Sequence, residues 1–101
     1  MSFIKAIKKS ELSPGEGKIV SIQGKSIAVF NVDGNNFFAI DNTCPHMGGP
    51  LGEGLLTGDV VSCPWHGWRF NVKTGVSPVM PAINVKKYKT KVEGSDVLVE
   101  I

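Results

Sequence analysis

The chain has 101 residues, eleven of them basic and nine acidic, for a formal charge of +2. A content of 42% hydrophobic and 20% charged residues belongs to a globular chain and not to a disordered one. At this length one domain, residues 1–101, is expected, with a folded surface of about 5,500 Å² and roughly 65% of the chain's surface buried. The near balance of charge excludes a strongly basic nucleic-acid face. No apolar run approaches the roughly 20 residues of a membrane helix. The opening Met-Ser-Phe-Ile-Lys shows no secretory pattern. The expectation is a cytoplasmic protein with neither a nucleic-acid nor a membrane partner.

Periodicity favours strands throughout. Phe3 to Ile7 is short and mixed, and Ser13 to Gly17 reads as a turn. Lys18 to Ile22 is a strand, Gln23-Gly24-Lys25 a tight turn, and Ser26 to Val32 the returning strand. Asp33-Gly34-Asn35-Asn36 turns the chain into the strand Phe37 to Ile40. The pattern breaks from Asp41 to Thr57, with at most a short helical turn near Gly49 to Glu53. Val60 to Ser62 and Trp68 to Asn71 are short strands, Lys73-Thr74-Gly75 a turn, and Ser77 to Pro81 a loop bracketed by prolines. Last comes a hairpin. Tyr88, Thr90 and Val92 share one face, with Lys87, Lys89 and Lys91 on a solvated opposite face. Glu93 to Asp96 then turns into Val97 to Ile101. The class is all-β, with short strands and long loops, as a small sandwich or partly open barrel.

The chain has only two Cys and two His, and all four fall in Cys44-Pro45-His46 and Cys63-Pro64-Trp65-His66. Sixteen residues separate His46 from Cys63. Both clusters follow predicted strands, so two adjacent strand ends can present them to one point. Two thiolates and two imidazoles suit zinc or an iron–sulfur cluster of mixed ligation. Structural Cys₂His₂ zinc sites usually pair Cys with Cys and His with His, the second pair on a helix. Here each loop supplies one of each, which suits a binuclear centre. A disulfide between Cys44 and Cys63, or two inert buried thiols, is the alternative.

This pattern resembles the Rieske [2Fe–2S] domain over essentially the whole chain. Cys44-Pro45-His46-Met47-Gly48-Gly49-Pro50-Leu51 is similar to that family's first cluster loop, and Cys63-Pro64-Trp65-His66-Gly67-Trp68-Arg69-Phe70 to its second. Thr74-Gly75, Pro81-Ala82 and Tyr88 are similar to later landmarks. The resemblance implies stacked antiparallel sheets with a cluster-binding subdomain at one tip, built from loops near 41–57, 62–70 and 77–82. It implies one [2Fe–2S] cluster per chain, with Cys44 and Cys63 on the inner iron and His46 and His66 on the outer one. Met47, Gly48, Gly49, Pro64, Trp65, Gly67, Trp68 and Pro81 would surround it. Trp65, Trp68 and Phe70 would exclude water from the cluster, and the glycines would let backbone N–H groups approach its sulfurs.

Absences narrow the branch. The Rieske proteins of cytochrome bc complexes carry a further disulfide-bonded Cys in each loop, where this chain has Gly49 and Trp65. The hydroxyls that hydrogen-bond to the cluster there match Trp68 and Phe70, which carry none. A potential near the low end of the Rieske range, about −150 to +300 mV, is therefore implied. The imidazole N–H groups would make it fall at alkaline pH. A mononuclear oxygenase iron needs two further His and a carboxylate, and Gly15-Glu16-Gly17 and Gly52-Glu53-Gly54 are too short for a dinucleotide fingerprint. The chain is thus expected to be no enzyme itself. It resembles the small Rieske ferredoxins that carry electrons from a flavin-dependent ferredoxin reductase to a terminal Rieske oxygenase, docking at the cluster tip. The rivals are the small subunit of a nitrite reductase, a structural zinc-binding interaction module and a cluster-based sensor.

Overall fold

In a computed structural model, which describes residues 2–45, 48–65, 67–80 and 82–101, the folded chain exposes 5420 Å², close to the scaling expectation. Among the described residues, ten strands run in the order β1 (Phe3–Lys8), β2 (Glu16–Ile22), β3 (Lys25–Asn31), β4 (Phe37–Asp41), β5 (Leu55–Thr57), β6 (Val60–Ser62), β7 (Arg69–Asn71), β8 (Lys87–Tyr88), β9 (Thr90–Glu93) and β10 (Asp96–Glu100). They form three antiparallel sheets, ordered β1-β10-β9, β2-β3-β4-β8 and β5-β6-β7. The all-β reading of the sequence holds.

The four-stranded sheet lies between the other two, because its central strand is apolar on both faces. In β3, Ile27 and Val29 join one core with Ile7, Ile22, Phe37, Val97 and Val99. The alternate residues Ala28 and Phe30 join a second core with Ile40, Leu51, Val61 and Phe70. A run without polar alternation is the signature of a strand covered on both sides. All four of these β3 residues are fully buried, and fully burying each larger side chain is worth about 1.5–3 kcal/mol. The turn into β3 is the two-residue Gln23-Gly24, both with positive φ, 51° and 78°, as a tight hairpin requires.

Three elements differ from expectation. Leu55–Thr57 pairs with Val60–Ser62 inside the stretch read as unpatterned, because the flanking glycines mask a three-residue strand. A 3₁₀ turn occupies Lys9–Glu11, where no element was expected; the one expected near Gly49 to Glu53 is present at Leu51–Glu53. The last hairpin is not continuous: Tyr88 pairs with Ala39 in the middle sheet, whereas Thr90 to Glu93 pair with β10 in the outer one. The chain changes sheets at Lys89, and Val92 ends 39% exposed instead of joining Tyr88 in the core.

Gly54 lies where the third sheet meets the 3₁₀ turn. A Cβ there would collide with the Ser62 carbonyl oxygen and lie 3.0 Å from Val61 Cγ2. Gly54→Ala is expected to cost about 2 kcal/mol of stability, seen as a lower midpoint in denaturant unfolding. At the β3–β4 turn, the backbone N–H of Asn35, followed by the side chain and backbone N–H of Asn36, holds the Asp33 carboxyl below its usual range. A depressed carboxylate stabilises the fold above its unfolded pKa, and that contribution is lost as pH falls through the folded value. The stability gap between wild type and Asp33→Ala is therefore expected to shrink from neutral pH toward roughly pH 3, measured by urea unfolding at each pH.

Candidate metal centre

Two loops of the same design leave β4 and β6. In the first, the Cys44 N–H donates to the Gly49 carbonyl at 2.9 Å and the Gly48 N–H donates to the Cys44 carbonyl at 2.8 Å. In the second, the Cys63 N–H donates to the Trp68 carbonyl at 2.6 Å and the Gly67 N–H donates to the Cys63 carbonyl at 2.9 Å. Each is a Cys-Pro-x-x-Gly turn. Proline after cysteine sets φ for the turn, and glycine closes it in the left-handed region, with φ of 77° at Gly48 and 71° at Gly67. The sequence places histidine third in the first turn and fourth in the second. His46 and His66, with Met47 and Pro81, lie outside the described residues.

Both thiols end in one place. Cys44 is 1% and Cys63 4% exposed, and both belong to the core between the middle and third sheets. No disulfide joins them, so that alternative is set aside. The loops also touch through Gly49. A Cβ on this residue would lie 2.6 Å from Cys63 Sγ and 3.2 Å from Cγ and Cδ2 of Trp65. Only a glycine lets the first loop press its backbone against the second loop's sulfur.

Asn42 straps the first loop to the middle sheet. Its Oδ1 accepts from the Gly52 N–H at 2.8 Å, and its Nδ2 donates to Ser26 Oγ at 3.1 Å. Its backbone carbonyl accepts from the Leu51 N–H at 2.8 Å, and its own N–H donates to the Ser26 carbonyl at 3.1 Å. Ser77 braces the third loop from within: its buried Oγ accepts from the Val79 and Met80 N–H groups at 3.3 and 3.1 Å. Sequence reasoning missed both roles. A lone Asn at a strand end, and a Ser before Pro, were the only signals.

The three aromatics expected to cover the centre divide. Phe70 is fully buried core, Trp68 packs partly buried against that core, and Trp65 is 55% exposed with its ring against Gly49. Val79 and Met80 of the third loop are exposed as well. Between the second and third loops lies a hollow of about 250 Å³, lined by Gly67, Trp68, Arg69, Ser77, Val79 and Met80.

Two buried thiols in one core, framed by matched turns on a small antiparallel sheet, have the donor chemistry that a thiolate-held metal or iron–sulfur centre requires. The donor chemistry fits such a group. A model of the Rieske [2Fe–2S] domain matches residues 2–89. The chain is 44% identical to the biphenyl dioxygenase ferredoxin subunit of Pseudomonas sp. (strain KKS102), over 99% of this chain and 93% of that one. A chain of the complex of reduced oxygenase and oxidized ferredoxin in carbazole 1,9a-dioxygenase superposes with a TM-score of 0.87 at 33% identity, over 96% of this chain and 100% of its own length. A nitrite reductase small subunit of Mycobacterium tuberculosis has a TM-score of 0.90 at 24% identity, over 97% of this chain and 93% of its own, a likeness of fold alone. The chain belongs to the Rieske [2Fe–2S] domain family. It carries one [2Fe–2S] cluster and, like its relatives, is an electron-transfer component and not a substrate-converting enzyme. Among the described residues no helix is long and apolar enough to cross a membrane.

Gly49→Ala tests the contact at the sulfur. The added methyl must displace Cys63 Sγ or the Trp65 ring, an overpacking of about 1–3 kcal/mol. The variant is expected to keep its fold by far-ultraviolet circular dichroism and to lose cluster content several-fold, measured as iron and acid-labile sulfide per chain.

Proposed function

We propose that residues 1–101 act as one Rieske domain in which Cys44 and Cys63 hold one iron of the cluster and His46 and His66 the other. The protein then works in the cytoplasm as the ferredoxin component of an aromatic-ring dioxygenase system. It takes one electron at a time from a flavin-dependent reductase and gives it to a terminal oxygenase. The observation that carries this reading is the pair of matched turns that frame two buried cysteines of one core, with Gly49 of the first loop against the Cys63 sulfur of the second. The ferredoxin names of its relatives support the same role.

When bound, the cluster supplies a one-electron couple. The chain's own residues do the rest. The two thiols sit in the core, away from water. The two turns fix the backbone on either side of each cysteine, Asn42 anchors the first loop, and Ser77 braces the third. Trp65, Val79 and Met80 expose apolar surface on the second and third loops, and Val79 and Met80 line the hollow between those loops together with Arg69; this largely apolar opening is where a partner docks. The matching positions Trp68 and Phe70 offer no hydroxyl to the cluster sulfurs. Fewer hydrogen bonds stabilise the reduced, more negative state less, so the potential is low.

Low-temperature EPR of the dithionite-reduced protein tests the ligand set. A rhombic signal with an average g below that of all-cysteine clusters is expected, together with a midpoint below about +100 mV in the Rieske range. A colourless, EPR-silent, zinc-containing protein would overturn the reading. Cys44→Ser and His66→Ala are each expected to abolish the signal. The nitrite reductase alternative rests on likeness of fold alone.

A further inference from the structure

A second surface of defined chemistry lies on the flank of the molecule, lined by residues other than those of the apolar opening. A cleft of about 520 Å³ runs along β8, floored by Phe3, Phe38 and Tyr88 and rimmed by Lys73, Lys86, Lys87 and Lys89. Three ammonium groups are held over the rings: Lys91 is 4.5 Å from the Phe3 centroid, Lys86 5.1 Å from Tyr88 and Lys73 5.7 Å from Phe38. Glu100 is the one acidic side chain that lines the cleft among the described residues. Lys73 pairs with Asp59 at 3.3 Å and Lys91 with Glu93 at 3.0 Å. Among the described residues, Lys86, Lys87 and Lys89 make no ion pair.

The concentration of charge is unusual for this chain. Setting these five lysines aside, the nine acids outnumber the remaining bases. The loops around the cysteines hold no lysine at all. The contact with Tyr88 restricts the long Lys86 side chain, so less entropy is lost when it meets a partner. The flank also adjoins the centre: the Lys86 carbonyl accepts from the Asp41 N–H at 2.8 Å, three residues before Cys44. A partner bound here stands beside the opening without covering it.

We propose that this cleft receives an acidic segment of a redox-partner protein, its carboxylates meeting Lys86, Lys87 and Lys89 and its apolar groups lying on the aromatic floor. The proposal rests on the electron-carrier reading for the partner's role but on the cleft alone for binding. Charge complementarity favours a carboxylate-rich occupant. A partner docked through both the flank and the apolar opening gains orientation and association rate more than affinity.

The test is a titration of the isotope-labelled holoprotein, followed by NMR, with a short peptide of alternating Glu and Phe. Amide shifts are expected at Phe3, Phe38, Lys73 and Lys86 to Thr90, saturating at low salt. They should weaken toward 0.15 M salt, where the screening length is about 8 Å. The triple variant Lys86→Gln/Lys87→Gln/Lys89→Gln is expected to bind about tenfold more weakly, and the Lys→Arg triple to bind as wild type. The EPR signal should be unchanged in both. Shifts centred elsewhere, no shifts, or equal binding by the Gln variant overturn the proposal. So does benzoate giving the same shifts with equal affinity, because the cleft would then be a small-molecule site. A wild-type protein without a Rieske EPR signal defeats the electron-carrier reading, and the binding result is judged independently of it.

Discussion

Burial of β3 on both faces is the constraint that arranges everything else. A strand with Ile27 and Val29 on one side and Ala28 and Phe30 on the other cannot leave either face to water without losing several kcal/mol. One face is covered by β1 and β10, and the other by the small sheet β5-β6-β7 together with the loop after β4. That second cover holds the chemistry. Cys44 and Cys63 are members of the same core as Phe30 and Phe70. The thiols are therefore placed by ordinary hydrophobic packing, and the site is as rigid as the core beneath it.

Packing alone would leave two inert buried thiols. The remaining specification comes from backbone geometry near the sulfurs. Two left-handed glycines close matched turns, and a third, Gly49, brings the first loop against Cys63 Sγ. The Trp65 ring packs on the same glycine, so one residue lacking a side chain joins the two loops. The contact is made by shape and not by a covalent bond. It depends on the first loop staying docked, which is where Asn42 contributes. Its Oδ1 satisfies the Gly52 N–H, which the loop would otherwise leave unpaired, and unpaired buried donors are costly.

Much of this was legible in the residue order. Cys-Pro-x-x-Gly twice, each after a short apolar run, specifies turn, buried thiol and closing glycine together. The run Ile27 to Phe30 announces a strand covered on both sides. What stayed hidden depends on contacts between segments distant in sequence. The switch of the chain from β8 to β9 leaves the alternation of Tyr88, Thr90 and Val92 intact, so a pattern of period two cannot reveal that the partner strand has changed. Leu55–Thr57 is too short to show a period. The strap from Asn42 joins Ser26 and Gly52, sixteen and ten positions away. The lysines of the last segment read as a solvated face, and the ring under Lys91 is Phe3 of β1, which no local pattern could supply.

The separation of apolar opening from cationic flank suits a protein that must bind and release repeatedly. An opening with exposed Trp65, Val79 and Met80 nearby and a single lining cation, Arg69, gives contact with little charge pairing, so a complex formed there alone is short-lived. Tightening it with ion pairs at the same place would bring desolvated charge to the cluster and shift its potential, because nearby charge stabilises one redox state over the other. The lysines line the flank cleft and not the hollow between the second and third loops. Exposed charges raise the rate of encounter and are screened by salt, whereas dissociation stays governed by the apolar patch. Orientation and electron exchange are thus assigned to different residues, and neither constrains the potential set by the core around the cysteines.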